Sequence, residues 1–478
     1  MSMLTRHGRR PATIAGIGAC AVNLALAQPP LSPTPCQVAG LEEQVRCATV
    51  EVPENRTTAG GRTIALRVVI LPARAPATAT RQAVFYLVGG PGLPATTLAD
   101  LIAASHATTR ATHDIILVDQ RGTGGSNALR CGLYGTTGDI ATHLGDQFPL
   151  DSVRACAARL GRAADLAQYT TSNAVEDLEE VRARLGIPRI DIDASAYGTR
   201  VALEYVRRHP DRARSVVLQG VVPENVSLAR TAARDAQRAL DRVLADCGAD
   251  PFCRTSFPFL RRELDTLLSR LDRAPLSVRV EHPRSKDSVT VALTRGVFAD
   301  RLRVMLYSTR LSRRIPIVIH RAHEGDWTPF VALAYELSRV VFDQIDPGAH
   351  LSAMCAEDLS PADDARGTFL GDYRARMYRQ ACAAWPHAPR PPERASAPVQ
   401  APVLLVVGAL DPVTPPRFAE AVARAMPNAT VLTVPGMAHA GAERCVEQIV
   451  AAFMVRGSMQ GVDTTCVKAI ETPPFVTG

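Results

Sequence analysis

Apolar residues come in short blocks along the first half of the chain: Ile64 to Ile70, Ala83 to Val88, Ile115 to Val118, Ile190 to Ile192 and Ser215 to Leu218. Runs of strand length that are apolar at consecutive positions predict strands covered on both faces. Between them, Ala174 to Leu185 and Arg200 to Arg208 carry apolar residues at helical spacing. Strands alternating with helices imply an α/β fold with a mostly parallel, doubly wound sheet. After Val222-Pro223 the pattern changes: Leu228 to Ala245 and Phe259 to Leu271 predict amphipathic helices, Leu276 to Leu293 a two-stranded excursion, and more helix follows to about Ile345. A proline-rich linker, Pro386 to Pro402, leads to a strand at Val403 to Val407, a helix at Phe418 to Met426 and a strand at Val431 to Val434, where the sheet resumes. The expected organisation is a leader over residues 1–27, a first core segment over 28–223, an inserted, mainly helical cap over 224–395 and a second core segment over 396–478.

Composition adds constraints on compartment and partners. The 478 residues exceed what one compact core accommodates, in keeping with a core plus an insertion. The formal charge of +7 is spread over 54 basic and 47 acidic residues with no run of one sign, which argues against a nucleic-acid partner. At the start, Arg6, Arg9 and Arg10 precede an apolar stretch from Ala12 to Leu26 that ends in Ala25-Leu26-Ala27. That order predicts a secretory signal cleaved after Ala27. The stretch is short of the roughly 20 residues that span a bilayer, so no stable membrane insertion is expected. Removing the signal takes Cys20 with it and leaves ten cysteines, an even number that reads as disulfides in an exported, periplasmic or extracellular protein. In chain order they fall into neighbouring couples, 36 with 47, 131 with 156, 247 with 253, 355 with 382 and 445 with 466. Such short loops need no long-range threading, although ten cysteines allow many other pairings. Neither a CxxC nor an HxxxH spacing occurs, so no metal or other cofactor is expected.

The chemistry is concentrated at one turn. In α/β-hydrolases the nucleophile sits on a sharp strand-to-helix turn flanked by small residues two before and two after it. The strand at Ile190 is followed by Asp193-Ala194-Ser195-Ala196-Tyr197-Gly198-Thr199-Arg200. Ala194 and Gly198 place the apex at Ala196, whereas Ser195 has Asp193 and Tyr197 as the corresponding flanks.

Four motifs in this order resemble the prolyl iminopeptidase and tripeptidyl aminopeptidase-like family: Gly89-Gly90-Pro91-Gly92, Asp119 to Ser126, the turn ending Ser195-Ala196-Tyr197-Gly198-Thr199-Arg200, and Asp411-Pro412-Val413-Thr414-Pro415-Pro416. The similarity runs over nearly the whole mature chain. It departs from the family at Ser195 and Ala196, where the family has glycine and the nucleophilic serine, and at Val88, which replaces a histidine before the glycines. The resemblance implies an α/β-hydrolase with a cap. In the chain order of nucleophile, acid and base, Asp411 is then the acid and His439 the base, each in a loop after a strand. Gly90 and Tyr197 are expected to supply the backbone N–H groups of an oxyanion hole. Asp119, Arg121 and Ser126 are read as a structural turn beneath that loop. Glu357 and Asp358, held by Cys355, are the acids expected to anchor a substrate ammonium, as the family's aminopeptidases require.

A methyl group cannot attack a carbonyl, so the chain as given is expected to be nearly inert. Retention of Asp411, His439, Gly198 and the glycine loop fits an engineered serine-to-alanine change, with a natural pseudoenzyme that binds ligand without turnover as the alternative. The expected parent activity is hydrolysis of an amide or ester at one end of a small molecule or short peptide, foremost as an exported aminopeptidase. An esterase or amidase acting on a small hydrophobic molecule is the other enzymatic reading.

Overall fold

The computed structural model describes residues 29–74, 82–133, 139–358, 365–390, 399–439 and 443–478. The expected signal at 1–27 and much of the proline-rich linker lie outside the described residues.

The strands in chain order are β1 (Thr34–Cys36), β2 (Val45–Pro53), β3 (Thr63–Leu71), β4 (Gln82–Leu87), β5 (His113–Val118), β6 (Ile190–Ser195), β7 (Ala213–Gln219), the separate hairpin β8 (Leu276–Glu281) and β9 (Ser288–Leu293), then β10 (Val403–Gly408) and β11 (Ala429–Val434), and the apolar blocks of the sequence fall in β3 to β7 and β10. Nine of them make one sheet in the order β1-β2-β3-β5-β4-β6-β7-β10-β11. The pairs β1·β2, β2·β3 and β3·β5 are antiparallel, and from β5 to β11 every pair is parallel. This is the α/β-hydrolase architecture. The chain winds outward to one side of β4 through β5 and then to the other side through β6, so the strand order reverses between β4 and β6. A crevice opens at the C-terminal ends of the strands flanking such a switch point. Gly89-Gly90 follow β4 and Ala196 follows β6, so the topology delivers both motifs to that crevice.

The sheet is covered on both faces. Val175, Leu178 and Val181 of the helix Thr171–Arg184 and Val201, Leu203 and Tyr205 of the helix Tyr197–Arg208 share a core with the side chains of β4, β6 and β10. Ile449, Val450 and Phe453 of the helix Arg444–Arg456 close the other face over β7, β10 and β11.

Between β7 and β10 lie the hairpin and a set of helices that include Leu228–Ala249, Leu260–Arg273, Arg295–Met305, Thr328–Phe342, Pro347–Glu357 and Tyr373–Ala384. Leu240, Leu264, Leu267, Phe298, Phe330 and Tyr335 give this block an interior of its own. A third group, including Phe148, Leu160, Leu351, Met354 and Tyr378, joins it to the sheet domain. The five neighbouring cysteine couples are all bonded: 36–47, 131–156, 247–253, 355–382 and 445–466. No helix among the described residues is long and apolar enough to cross a membrane.

Candidate active site

Ala196 takes φ 49° and ψ −120°, outside the regions open to most L-residues, between β6 and the helix Tyr197–Arg208. Its N–H donates to the Gln219 carbonyl at 2.9 Å, and its own carbonyl accepts from Thr199 N at 2.9 Å, which pins the turn. The sharp turn drives the helix against β4: a Cβ on Gly198 would meet the Leu87 carbonyl oxygen at 2.2 Å, so only glycine fits there. At Gly89 the fit is tight, since a Cβ would lie 3.2 Å from the Ala196 methyl.

Asp411 and His439 stand in the loops after β10 and β11. His439 Nδ1 donates to Asp411 Oδ2 at 2.9 Å, leaving Nε2 with its lone pair. The carboxylate is 3% exposed and receives three further hydrogen bonds, from Val413 N at 2.7 Å, Thr414 N at 2.8 Å and the Thr414 hydroxyl at 2.7 Å. Burial alone raises its pKa. The facing His439 and the Thr414 donors outweigh that and hold it below the ordinary carboxylate value. Thr414 Oγ1 is also 3.1 Å from His439 Nδ1 and so braces acid and imidazole together. Sequence reasoning passed over Thr414, although it belongs to the same Asp-Pro-Val-Thr motif.

Ala196, Asp411 and His439 all border one cavity of about 900 Å³, together with Gly90 and Tyr197. Tyr197 opens its helix, and that helix has no side-chain cap at Ala196. Among the described residues neither the Tyr197 nor the Gly90 N–H meets an acceptor. Two open donors near the positive end of a helix suit a developing oxyanion. The block between β7 and β10 contributes part of the remaining wall, with Tyr307 set edge-on to the His439 ring at a centroid distance of 5.2 Å.

The turn from Asp119 to Ser126 supports this cavity from below. Asp119 accepts from Thr96 N, the Thr96 hydroxyl and Gly125 N, each at 2.8 Å, tying the turn to the segment that follows the glycine loop. Arg121 grips Asp177 with two bonds of 2.7 Å, and Ser126 accepts from Arg67 N at 2.8 Å. A second histidine–carboxylate pair, His106 with Asp193 at 3.1 Å, lies under the turn. Its other ring nitrogen is engaged by Ile102 O and Ser105 Oγ, so it has no lone pair to offer a substrate.

Glu357 and Asp358 are not where an ammonium anchor has to be. Neither borders the cavity. Glu357 receives Thr171 N at 2.7 Å and the Thr171 hydroxyl at 2.5 Å. Asp358 is fully buried, accepts Leu228 N and Ala229 N at 2.9 Å each, and faces Arg200 at 3.4 Å. The helix Pro347–Glu357 turns these acids toward the sheet domain and presents His350 and Met354 to the cavity instead. Apart from Asp411, the acids that do border the cavity are Glu443 and Glu447, at the start of the helix Arg444–Arg456. No cluster of three or more metal-ligating side chains occurs among the described residues.

Residues 367–466, which include Asp411 and His439, match the model of the TAP-like protein family. The chain is 25% identical to the serine protease Hip1 of Mycobacterium tuberculosis over 343 residues, 65% of this chain and 64% of that protein. It is 26% identical to the tripeptidyl aminopeptidase of Streptomyces coelicolor over 200 residues, 38% of this chain and 36% of that protein. The match thus spans less than two thirds of the length of these relatives. Among solved structures, the proline iminopeptidase of Mycobacterium smegmatis aligns with a TM-score of 0.43 at 16% identity, covering 87% of this chain and 100% of that one.

Proposed function

We propose that this α/β-hydrolase with a TAP-like segment is the scaffold of an exported serine hydrolase that cleaves short peptides near their N-terminus, held inactive by alanine at the nucleophile position. The observation that carries the reading is the 2.9 Å contact between His439 Nδ1 and Asp411 Oδ2 on the same cavity as the left-handed turn at Ala196. With serine at that turn, the hydroxyl oxygen attacks the scissile carbonyl while His439 Nε2 takes its proton. Asp411 fixes the tautomer and steadies the imidazolium. The oxyanion receives the N–H groups of Gly90 and Tyr197. His439 then protonates the leaving amine and next deprotonates the water that releases the acyl group.

In the chain as it stands the first step has no nucleophile, so substrate binds and persists. Five disulfides and an N-terminal signal pattern support export.

The test is hydrolysis by the Ala196→Ser protein of aminoacyl anilides against p-nitrophenyl esters. A rate gain of at least about a thousandfold over the parent, with the anilides preferred, is expected. Turnover of esters alone assigns the site to an esterase, and no turnover of either class in a folded protein overturns the hydrolase reading.

A further inference from the structure

Three arginines of the block between β7 and β10 converge on one carboxylate. Asp300 accepts Arg301 Nη1 at 3.0 Å on Oδ2, and on Oδ1 it accepts both Arg303 Nε at 3.0 Å and Arg374 Nη1 at 2.9 Å. Asp300 is 1% exposed, and the guanidiniums around it hold its carboxyl far below the ordinary value despite burial, so it is ionised. The cluster therefore carries three positive charges against one negative. Asp146, which acts with Asp300 on the Tyr373 phenol, is engaged by the Tyr373 hydroxyl at 2.9 Å.

Arg301 is spent inside the protein. Its Nη2 donates to the His143 and Gly145 carbonyls, and its guanidinium lies over Phe342. Arg303 and Arg374 differ, because both border the cavity that holds Ala196 and His439. Their other partners are phenols: Arg303 Nη1 donates to Tyr307 and Arg374 Nη2 to Tyr378. His350 Nδ1 donates to the Pro91 carbonyl at 2.9 Å, so its Nε2 takes the Tyr378 proton at 3.0 Å, and Tyr378 can only accept from Arg374. The buried Arg374 Nε meets no acceptor among the described residues. Two cations with side-chain exposures of 7% and 13% share one carboxylate oxygen atom, although Asp300 and the phenols favour the charged form of Arg374 despite its burial. An anion in the cavity would give both a second charged partner. Arg303 stacks on Tyr307, whose ring touches His439, so that anion sits close to the reacting centre.

We propose that Arg303 and Arg374 form a subsite for a substrate carboxylate, so that the cavity selects short peptides, or other acyl compounds, that carry a free carboxylate near the scissile bond. For its biological meaning the proposal rests on the hydrolase reading. Its test does not, because Ala196 allows substrate binding to be measured without turnover.

Calorimetric titration of the unmodified chain with trialanine and with trialaninamide reads the preference directly, and hexanoate with hexanamide gives the same comparison without a peptide. Trialanine is expected to bind at least about tenfold more tightly than its amide. That ratio should fall toward one in Arg303→Gln and in Arg374→Gln, each of which leaves Asp300 with two guanidiniums and so preserves the buried charge pair. Arg303→Lys should keep part of it. A glutamyl-dialaninamide probe separates the sources: affinity equal to trialanine assigns a side-chain carboxylate, and weaker affinity assigns the C-terminus. If neither peptide binds but hexanoate outcompetes hexanamide, the subsite stands and the peptide reading falls. If neither pair shows a preference, or if the ratio survives both glutamine variants in folded protein, the subsite proposal is overturned.

Discussion

At position 196 a side chain occupies backbone angles that glycine alone adopts without strain. Ala196→Gly is therefore expected to stabilise the fold by up to about 1 kcal/mol, read as a rise in denaturation midpoint. Such strain persists at sites where the direction of a side chain matters more than its comfort. His350 makes a second residue-scale prediction. Burial pushes its pKa from 6.5 down to about 4, so it is neutral in the folded state while the unfolded chain binds the proton more readily. The sign follows: its contribution is fully present above about pH 6.5 and is lost as the pH falls toward 4, on the order of 3 kcal/mol in all. Urea titrations of the protein and of His350→Gln across that window should differ in slope, with the variant flatter. The convergence of Ala196, Asp411 and His439 on one cavity was readable from spacing and chain order, since each follows a strand that carries it to one sheet edge; the positions of Arg303 and Arg374 were not, because 71 positions of chain separate them and only the folded insertion brings both to Asp300.

At the scale of elements, what the sequence revealed depended on burial. The strands β3, β4, β5, β7 and β10 stand out as largely apolar runs, whereas β6 alternates isoleucine with aspartate although it is buried up to Ala194. The run Val45–Pro53 alternates arginine, threonine and glutamate with valine, and its membership of the antiparallel edge was missed. The same limit explains the misplaced ammonium anchor: a neighbouring disulfide makes Glu357 and Asp358 rigid, but it does not tell which way the helix turns them. Asp358 caps the helix Leu228–Ala249 through Leu228 N and Ala229 N and pairs with Arg200. Asp358→Ala strands a buried guanidinium and two helix N–H groups, and should cost about 3 to 5 kcal/mol of stability. In the Ala196→Ser background any activity loss should fall equally on free-amine and N-blocked substrates, measured as a ratio of kcat/KM, because the carboxylate itself does not border the cavity and acts only on the backbone behind its wall.

Across the whole molecule, the block between β7 and β10 both covers the cavity and holds its floor. Asp346 N donates to the Gly92 carbonyl at 2.9 Å, Gly124 N donates to Asp346 Oδ2 at 2.8 Å, and His350 grips Pro91, so the glycine loop after β4 is fixed from above. The disulfide 355–382 ties together the two helices that carry His350 and Arg374, closing a loop with a sequence separation of 27. Replacing both cysteines by alanine should cost about 3 kcal/mol, seen in the denaturation midpoint, and should weaken carboxylate binding. The central claim, that position 196 is the nucleophile position of a working hydrolase frame, is tested most directly by covalent labelling with an organophosphonate followed by intact and peptide mass measurement. Rapid stoichiometric labelling of the Ala196→Ser protein at the turn after β6 is expected, with none of the parent, and slowing by at least about a hundredfold when His439→Ala is added. Labelling of the parent at Ser195, or no labelling of a folded Ala196→Ser protein, would contradict the account.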